Sequence, residues 1–451
     1  MKSVSVIILL IITFNICPIV KAQAQNVVVI SGATIISGTG RSLIKDAVIV
    51  IEGNRIKQVG AKSKIKMPKR AQVIDATGKY VIPGLADMHI HPGNGFSLQI
   101  QGVAERPNFK NDCAQMLAWG FTTVFSTSGP GLGDFAELRD FANRDDSPMP
   151  RFFGVGLSFS TKGGHASRLG IFLPETPDEA RIKVHELKAA GVDAIKLIYD
   201  DMASVRVPIP MMKPEVMRAI IDEAHKQNLK AYVHALGLQH AKEALRAGVD
   251  GLVHAVVDEP VDDEFIALMK KNRAVYVTTH ALYNAFVDIE AWMRKLENMD
   301  ERGIVPKETY ERFKSPDGVR AYYQVLPKLS QKQIGIIRNN LRKVHDAGIL
   351  VVAGTDTSIP GVLLGVSSQT ELVLLVEDGL KPEEALRAAT ANAARMLGRE
   401  KDQGTIEAGK LADLVILEAD PLADISNVRR INRVIKAGVV YDPADLLRAT
   451  R

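Results

Sequence analysis

The feature that most constrains the fold is an alternation of short β-branched runs with helix-length segments between residues 84 and 395. Helical patterns, such as those at residues 214–228 and 239–247, lie between most of the runs. Alternating strands and helices favour a parallel sheet with helices packed outside it. Eight such units predict an α/β fold, a (β/α)8 barrel of the TIM type. The eight runs are 85–91, 122–126, 152–158, 194–199, 231–235, 251–256, 274–279 and 350–354.

Both chain ends lack the alternation of strand and helix patterns that is seen in the barrel region. Residues 25–83 are rich in Val, Ile and Gly, and Glu52-Gly53-Asn54-Arg55 is a hairpin signal between two strand patterns. Residues 396–451 return to short strands. We expect the two ends to join, so that residues 25–83 and 396–451 form one composite β-sandwich domain beside the barrel at 84–395.

One connection inside the barrel is unusually long. Residues 281–327 precede the last helix before the eighth run, and Tyr283, Phe286, Trp292 and Met293 have the spacing of an amphipathic helix. Two interpretations stay open at this point. The segment is either a cap inserted near the barrel mouth or a helical decoration at the periphery.

The first 24 residues have the pattern of a secretory signal peptide. Lys2 is followed by an apolar run over residues 4–20 and then by Ala22-Gln23-Ala24. The run is short for a membrane-spanning helix, which needs ~20 apolar residues. We therefore expect an exported protein, periplasmic or secreted, that is not held in a membrane after cleavage. Cys113 would be its only thiol, which excludes an internal disulfide.

The charge balance excludes some classes of partner. The 451 residues carry a formal net charge of +5, with 24% of residues charged. This excess is too mild to indicate nucleic acid or an anionic membrane surface. A small-molecule substrate is the expected partner, and self-association into a homo-oligomer stays open.

Polar side chains stand selectively at the ends of the predicted strands, where barrels of this type place their active sites. His89 and His91 end the first strand and are two residues apart, so both point to one side of it. The fifth, sixth and eighth strands end in His234, His254 and Asp356. Each histidine alone could be a core residue, but together these ligand types predict a site for zinc or a similar metal. The histidines in helical segments are predicted to be surface residues: His185, His225, His240 and His345.

The fourth strand carries a single lysine, Lys196, in an apolar run. A charged lysine is costly to bury without a partner. Either a nearby acid pairs with it, or carbon dioxide converts it to a carbamate (N6-carboxylysine). The carbamate is anionic and has two oxygens, so it could bridge two metals.

Two motifs resemble those of the amidohydrolase superfamily, and the similarity spans about residues 26 to 443. Residues 81–91, VIPGLADMHIH, resemble its opening motif, and residues 404–415, GTIEAGKLADLV, resemble its C-terminal signature. The resemblance implies a metal-binding barrel with a composite β-sandwich. It also implies two divalent metals, with zinc the best fit, and a hydroxide between them. Asp356 would move the proton from that hydroxide to the leaving nitrogen. One metal would use His89, His91, Lys196 and Asp356, and the other would use carboxylated Lys196, His234 and His254.

Within the superfamily, the sequence is most similar to the imidazolonepropionase-like and prolidase-like (Xaa-Pro dipeptidase-like) group. Gly163-Gly164-His165 resembles a substrate-facing motif there, although it could also be a flexible loop. Leu236 and the segment Tyr199-Asp200-Asp201-Met202 depart from the group beside the pocket, which bears on the substrate and not on the metals. Our candidates for substrate contact are His165, Tyr232 and Arg168.

The sequence therefore predicts a metal-dependent hydrolase of C–N bonds whose substrate is an amide, an N-acyl amino acid or a dipeptide. A cyclic-amide hydrolase with one metal is the alternative within the superfamily. A non-catalytic metal-binding barrel is the alternative from another class. Such a protein would be expected to lack a ligand or the acid, whereas all six positions are present.

Overall fold

A computed structural model describes residues 27–93, 109–129 and 131–449. The predicted signal peptide, residues 1–24, lies outside the described residues. In the part of the chain that is described, no helix has the length and apolar character needed to cross a membrane.

The strands and helices follow the order that the sequence predicts, with β structure at both ends and alternating units between. The strands are β1 (Val27–Ile35), β2 (Ile44–Glu52), β3 (Arg55–Ala61), β4 (Gln72–Asp75), β5 (Tyr80–Pro83), β6 (Leu85–Ile90), β7 (Phe121–Ser126), β8 (Arg151–Gly154), β9 (Ala194–Ile198), β10 (Lys230–His234), β11 (Gly251–Leu252), β12 (Val275–Val277), β13 (Leu350–Val352), β14 (Leu414–Leu417), β15 (Ile431–Lys436) and β16 (Val439–Tyr441). The helices are α1 (Phe109–Ala118), α2 (Leu132–Ala142), α3 (Pro177–Ala189), α4 (Pro214–Lys226), α5 (Leu238–Arg246), α6 (Asp263–Asn272), α7 (His280–Val287), α8 (Ile289–Met299), α9 (Lys307–Lys314), α10 (Pro316–Val325), α11 (Gln331–Asp346), α12 (Val366–Glu377), α13 (Pro382–Ala388), α14 (Ala391–Met396) and α15 (Pro443–Ala449).

The eight strands β6 to β13 form the parallel core of a TIM-barrel-like α/β fold. They pair in chain order in two sheets, β6-β7-β8 and β9-β10-β11-β12-β13. Every residue of β6, β7 and β9 is buried, as expected where helices cover the outside of a parallel sheet. Isolated backbone bonds join the two sheets at both seams. The amide of Ile198 donates to the carbonyl of Phe159 (2.8 Å), and that of Met88 donates to Ala353 (3.0 Å).

The remaining strands form one mixed sheet built from both chain ends. β14 pairs antiparallel with β5, and the sheet order is β16-β15-β14-β5-β1-β2-β3, with β4 beside β1. All eight strands belong to this single hydrogen-bonded sheet, so the predicted sandwich is not resolved as two separate sheets. Successive residues of β1 pack on opposite faces, with Val28 and Ile30 in one apolar cluster and Val29 in another.

The long connection consists of four helices, α7 to α10, which run along the outside of the barrel. The Trp292 Nε1–H donates to the carbonyl of Gly361 (2.8 Å), in the loop after β13. At the opposite end of the barrel, the Arg302 guanidinium donates to the carbonyl of Ala118 (3.2 Å), just before β7. Residues 281–327 thus contact the barrel at both of its ends.

Buried polar contacts attach the mixed sheet of β1–β5 and β14–β16, called the terminal sheet below, to the barrel. The Arg151 guanidinium donates to Asp413 through Nε (2.9 Å) and Nη2 (3.4 Å), and both side chains are almost fully buried. The Oδ1 atom of Asp413, which accepts from Nη2, also accepts the amide of Ala437 (2.7 Å). A carboxylate in the second motif of the sequence therefore holds β8 and the end of β15 together.

Asp413→Asn should destabilise the protein by ~3 kcal/mol, because it leaves the buried Arg151 charge without its partner. The free energy of unfolding in urea measures this loss. Asp146→Asn is the matched control, since the Arg144–Asp146 pair is exposed on both sides and should change stability by no more than ~0.5 kcal/mol. Equal effects of the two substitutions would contradict the role assigned to Asp413.

Candidate active site

The two histidines of the first barrel strand are held in a defined tautomer. The Nδ1 atom of His89 lies 2.8 Å from the carbonyl oxygen of Val253, and that of His91 lies 2.7 Å from the carbonyl oxygen of Ser128. A carbonyl oxygen can only accept a hydrogen bond, so Nδ1 of each ring must carry the proton. The Nε2 atom of each neutral ring therefore presents a lone pair.

These lone pairs converge on one carboxylate. The two Nε2 atoms are 3.3 Å apart, and the Oδ1 atom of Asp356 lies 3.1 Å from that of His89 and 2.8 Å from that of His91. This Oδ1 atom is buried and has no hydrogen-bond partner. Burial also lowers the pKa of His89 to about 4, which keeps the ring neutral. Three atoms with lone pairs and no proton between them repel one another. A metal cation that accepts all three lone pairs would fit this arrangement.

Two more histidines complete the cluster at the mouth of the barrel. The ring of His254 lies 4.7 Å from that of His89 and 4.3 Å from that of His234, measured between centroids. One ligand atom from each of His89, His254 and Asp356 falls within a 4.8 Å group. Burial lowers the pKa of both His234 and His254 well below the ordinary value. Both are therefore in the neutral form that binds metals.

Lys196 is buried in β9, directly opposite Tyr232 in the register of the neighbouring strand. Within the described ranges it forms no ion pair, so the acid partner considered as one alternative is not seen. Burial lowers the pKa of Lys196 to about 8, and the charge of Asp356 acts in the opposite direction. A larger fraction of this amine is therefore neutral near pH 8 than for an ordinary lysine.

The backbone delivers Asp356 to the cluster through a tight approach of β13 to β6. The amide of Asp356 donates to the carbonyl of His89 (2.8 Å). Its φ of +66° lies in the left-handed region, which Asp tolerates better than most residues. Two residues earlier, a Cβ atom on Gly354 would lie only 2.8 Å from that of His89. Glycine at this position therefore allows the first and eighth strands to meet.

Asp87 is a buried site residue that the sequence did not single out. Its Oδ2 atom accepts the hydroxyls of Thr355 and Ser368 (both 2.6 Å), and its Oδ1 atom accepts the amide of His89 (3.1 Å). Burial raises the pKa of Asp87 to about 7, against these hydrogen bonds. The carboxyl group thus ties the first histidine to the loop that carries Asp356. In the sequence, its position two residues before His89 was the feature that could have indicated a role for Asp87 in the site.

The three predicted substrate contacts lie in different places. The half-buried ring of His165 stacks on that of His234 at 4.8 Å, which places it at the cluster. Arg168 is exposed in the same loop and makes no contact with the cluster. Tyr232 is buried lower in the barrel, with its hydroxyl directed at the carbonyl of Met396 (3.4 Å). The structure therefore brings only His165 to the histidines.

A further histidine and carboxylate lie beside the cluster. His240, predicted as a surface residue, has a side chain that is only 21% exposed and lies 3.8 Å from the buried carboxylate of Asp200. Asp200 is also 4.0 Å from His234. The helical pattern of residues 238–246 could not reveal this contact, because the partner comes from the preceding barrel unit.

Comparisons with known proteins agree with this geometry. Residues 80–441 match the amidohydrolase family. The chain is 25% identical to an ochratoxinase from Aspergillus niger, over 94% of this chain and 88% of the other. It is 26% identical to an imidazolonepropionase from Shouchella clausii, over 95% and 94% of the two chains.

A solved structure is similar over nearly the full length. It is a Xaa-Pro dipeptidase with bound methionine in the active site, with 25% identity, a TM-score of 0.70, and coverage of 92% of this chain and 100% of the other. Family, relatives and fold agree with one another and with the buried histidine cluster. The chain therefore belongs to the amidohydrolase family, whose members hydrolyse carbon–nitrogen bonds.

Proposed function

We propose that this protein is a metal-dependent amidohydrolase that cleaves the C–N bond of a small amide or peptide. One observation carries the proposal: the lone pairs of His89 and His91 converge on the unpartnered Oδ1 atom of Asp356. A purely structural cluster would place protons between these atoms. An arrangement that requires a cation at the active-site end of a barrel supports metal-assisted hydrolysis.

Six side chains would hold two divalent ions, with zinc the best fit to imidazole and carboxylate donors. His89, His91, Asp356 and carboxylated Lys196 would hold one ion. His234, His254 and the second oxygen of that carbamate would hold the other. The buried, neutral states of His89, His234 and His254 support the assignment.

When bound, divalent ions polarise a carbonyl group and lower the pKa of a water molecule. The chain supplies the proton transfers. Asp356 accepts a proton from the attacking water and passes it to the leaving nitrogen. The bonds from Thr355 and Ser368 to Asp87 keep the loop of Asp356 in place during this exchange.

The substrate class is inferred from the residues beside the proposed metals and from the similar proteins. The ring of His165 stacks on that of His234 at 4.8 Å, so it would contact a substrate bound in front of the metals. The name of one similar solved structure, a Xaa-Pro dipeptidase, points to dipeptides. A panel of N-acyl amino acids, dipeptides and cyclic amides, tested with the zinc-loaded mature protein, decides among these classes. Full metal loading without hydrolysis of any member would favour the non-catalytic alternative.

A cyclic-amide hydrolase with a single metal is the second candidate. The similarity to an imidazolonepropionase favours it. The number of bound ions separates the two candidates, because only the two-metal site depends on the carbamate.

Asp356→Asn should lower kcat by ~10²- to 10⁴-fold, because it removes the group that transfers the proton. Steady-state kinetics on the best substrate of the panel, with bound metal measured in the same sample, checks this expectation. Asp317→Asn, on an exposed carboxylate, is the control and should keep full activity. Full activity of Asp356→Asn with its metal bound would refute the assigned role.

Withholding carbon dioxide and bicarbonate during reconstitution should reduce the metal content from two ions per chain, and adding bicarbonate should restore it. The neutral amine of Lys196, favoured by its pKa of about 8, is the form that reacts with carbon dioxide. Elemental analysis after gel filtration measures the ratio. Lys242→Met, at another buried lysine, should keep this dependence, and Lys196→Met should abolish it. A constant count of one ion would support the cyclic-amide alternative.

A further inference from the structure

One buried carboxylate joins the ends of two strands that carry proposed metal ligands. Asp200 follows β9, four residues after Lys196, and its side chain is inaccessible to solvent. Its Oδ2 atom accepts the amide of Leu236, two residues after His234, and its Oδ1 atom accepts the amide of Met202 (2.6 Å). The same carboxylate therefore fixes the chain just beyond both Lys196 and His234.

Two imidazole rings lie beside this carboxylate, each near a different oxygen atom. The Nε2 atom of His234 lies 4.0 Å from Oδ2 of Asp200, and the Nδ1 atom of His240 lies 3.8 Å from Oδ1. Both nitrogen atoms are buried and have no hydrogen-bond partner. A buried polar atom without a partner is unfavourable. The carboxylate of Asp200 lies beside both nitrogens, whereas that of Asp201 lies beside His240 alone, at 3.9 Å.

The orientation of His234 follows from this contact. The two nitrogen atoms of an imidazole ring point in widely different directions. With Nε2 turned toward Asp200, Nδ1 is the nitrogen left to serve the cluster formed with His254. An anionic acceptor beside Nε2 favours the tautomer with its proton there, which leaves the lone pair on Nδ1.

We propose that Asp200, supported by His240, is a positioning residue that holds His234 with Nδ1 toward the metal site. The proposal rests on the proposed function, because it assumes that His234 binds a metal. It requires the His234 ring to turn slightly, so that the 4.0 Å separation closes to a hydrogen bond when Nδ1 is engaged. Outer carboxylates of this kind set metal affinity through the ligand that they orient.

The next residue provides a matched control. Asp201 has a partly exposed carboxylate that accepts the amide of Ala203 (2.9 Å) and lies 3.9 Å from His240. It forms neither a hydrogen bond nor an ion pair with His234. Asp200 and Asp201 therefore share the neighbour His240 and differ in their relation to the proposed ligand.

The experiment compares metal binding by full-length wild type, Asp200→Asn and Asp201→Asn. Equilibrium dialysis with zinc gives the affinities, and the visible absorption of bound Co²⁺ reports the ligand geometry. Asp200→Asn should weaken the ion that His234 holds by ~10- to 100-fold and change the Co²⁺ spectrum. Asp201→Asn should leave both unchanged.

A double-mutant cycle excludes a merely structural role. In a His234→Ala background, Asp200→Asn should have no further effect on metal affinity, because the group that it orients is absent. Circular dichroism verifies folding of every variant. If Asp200→Asn does not fold, His240→Gln replaces it, with a smaller weakening of about 3-fold expected through the same cycle.

Two results would overturn the proposal. One is an unchanged zinc affinity in folded Asp200→Asn, and the other is equal weakening in Asp200→Asn and Asp201→Asn with one fewer ion bound in each. The second result would show that Asp200 and Asp201 themselves hold an ion. Wild-type protein that binds no metal would refute the proposed function instead, which keeps the two failures distinct.

Discussion

The site depends on the repulsion among three unprotonated acceptors at the mouth of the barrel. Backbone carbonyls at Val253 and Ser128 fix the protons of His89 and His91 on the nitrogens that face away. The remaining lone pairs meet the carboxylate of Asp356 at 3.1 and 2.8 Å, and the hydroxyl of Thr127 lies 3.3 Å from Nε2 of His91. A cation would relieve this repulsion, so the proposed metal binding would be coupled to local stability. The surrounding structure holds these atoms in place against their mutual repulsion.

The sequence predicted the strands of the barrel well because parallel strands are buried on both faces and so form continuous apolar runs. It also predicted the cluster, since His89, His91, His234, His254 and Asp356 all interrupt such runs at their ends. It did not predict the position of His240. Periodicity reports which face of a helix is apolar, but it does not report a neighbour such as Asp200 from another barrel unit. Side chains within one strand differ as well: Tyr232 is two residues before His234, yet its hydroxyl is directed away from the cluster.

The terminal sheet shows a second limit of sequence reasoning. The strand character of both ends was predictable from their Val- and Ile-rich runs. The pairing of β5 with β14 was not, because it joins segments from opposite ends of the chain. Asp413 illustrates the difference. It stands in a motif that identifies the family, but only the structure places it against Arg151 and the amide of Ala437.

The pairing of β5 with β14 also has a consequence for biosynthesis. One edge of β5 (Tyr80–Pro83) pairs with β1, and its other edge pairs with β14 (Leu414–Leu417), which the ribosome makes much later. At ~5–20 residues per second, that edge stays unpaired for roughly tens of seconds. An open edge in a growing sheet can pair with other chains. The nascent amino-terminal strands are thus the segment most exposed to aggregation, and a holdase chaperone that covers them would raise the yield.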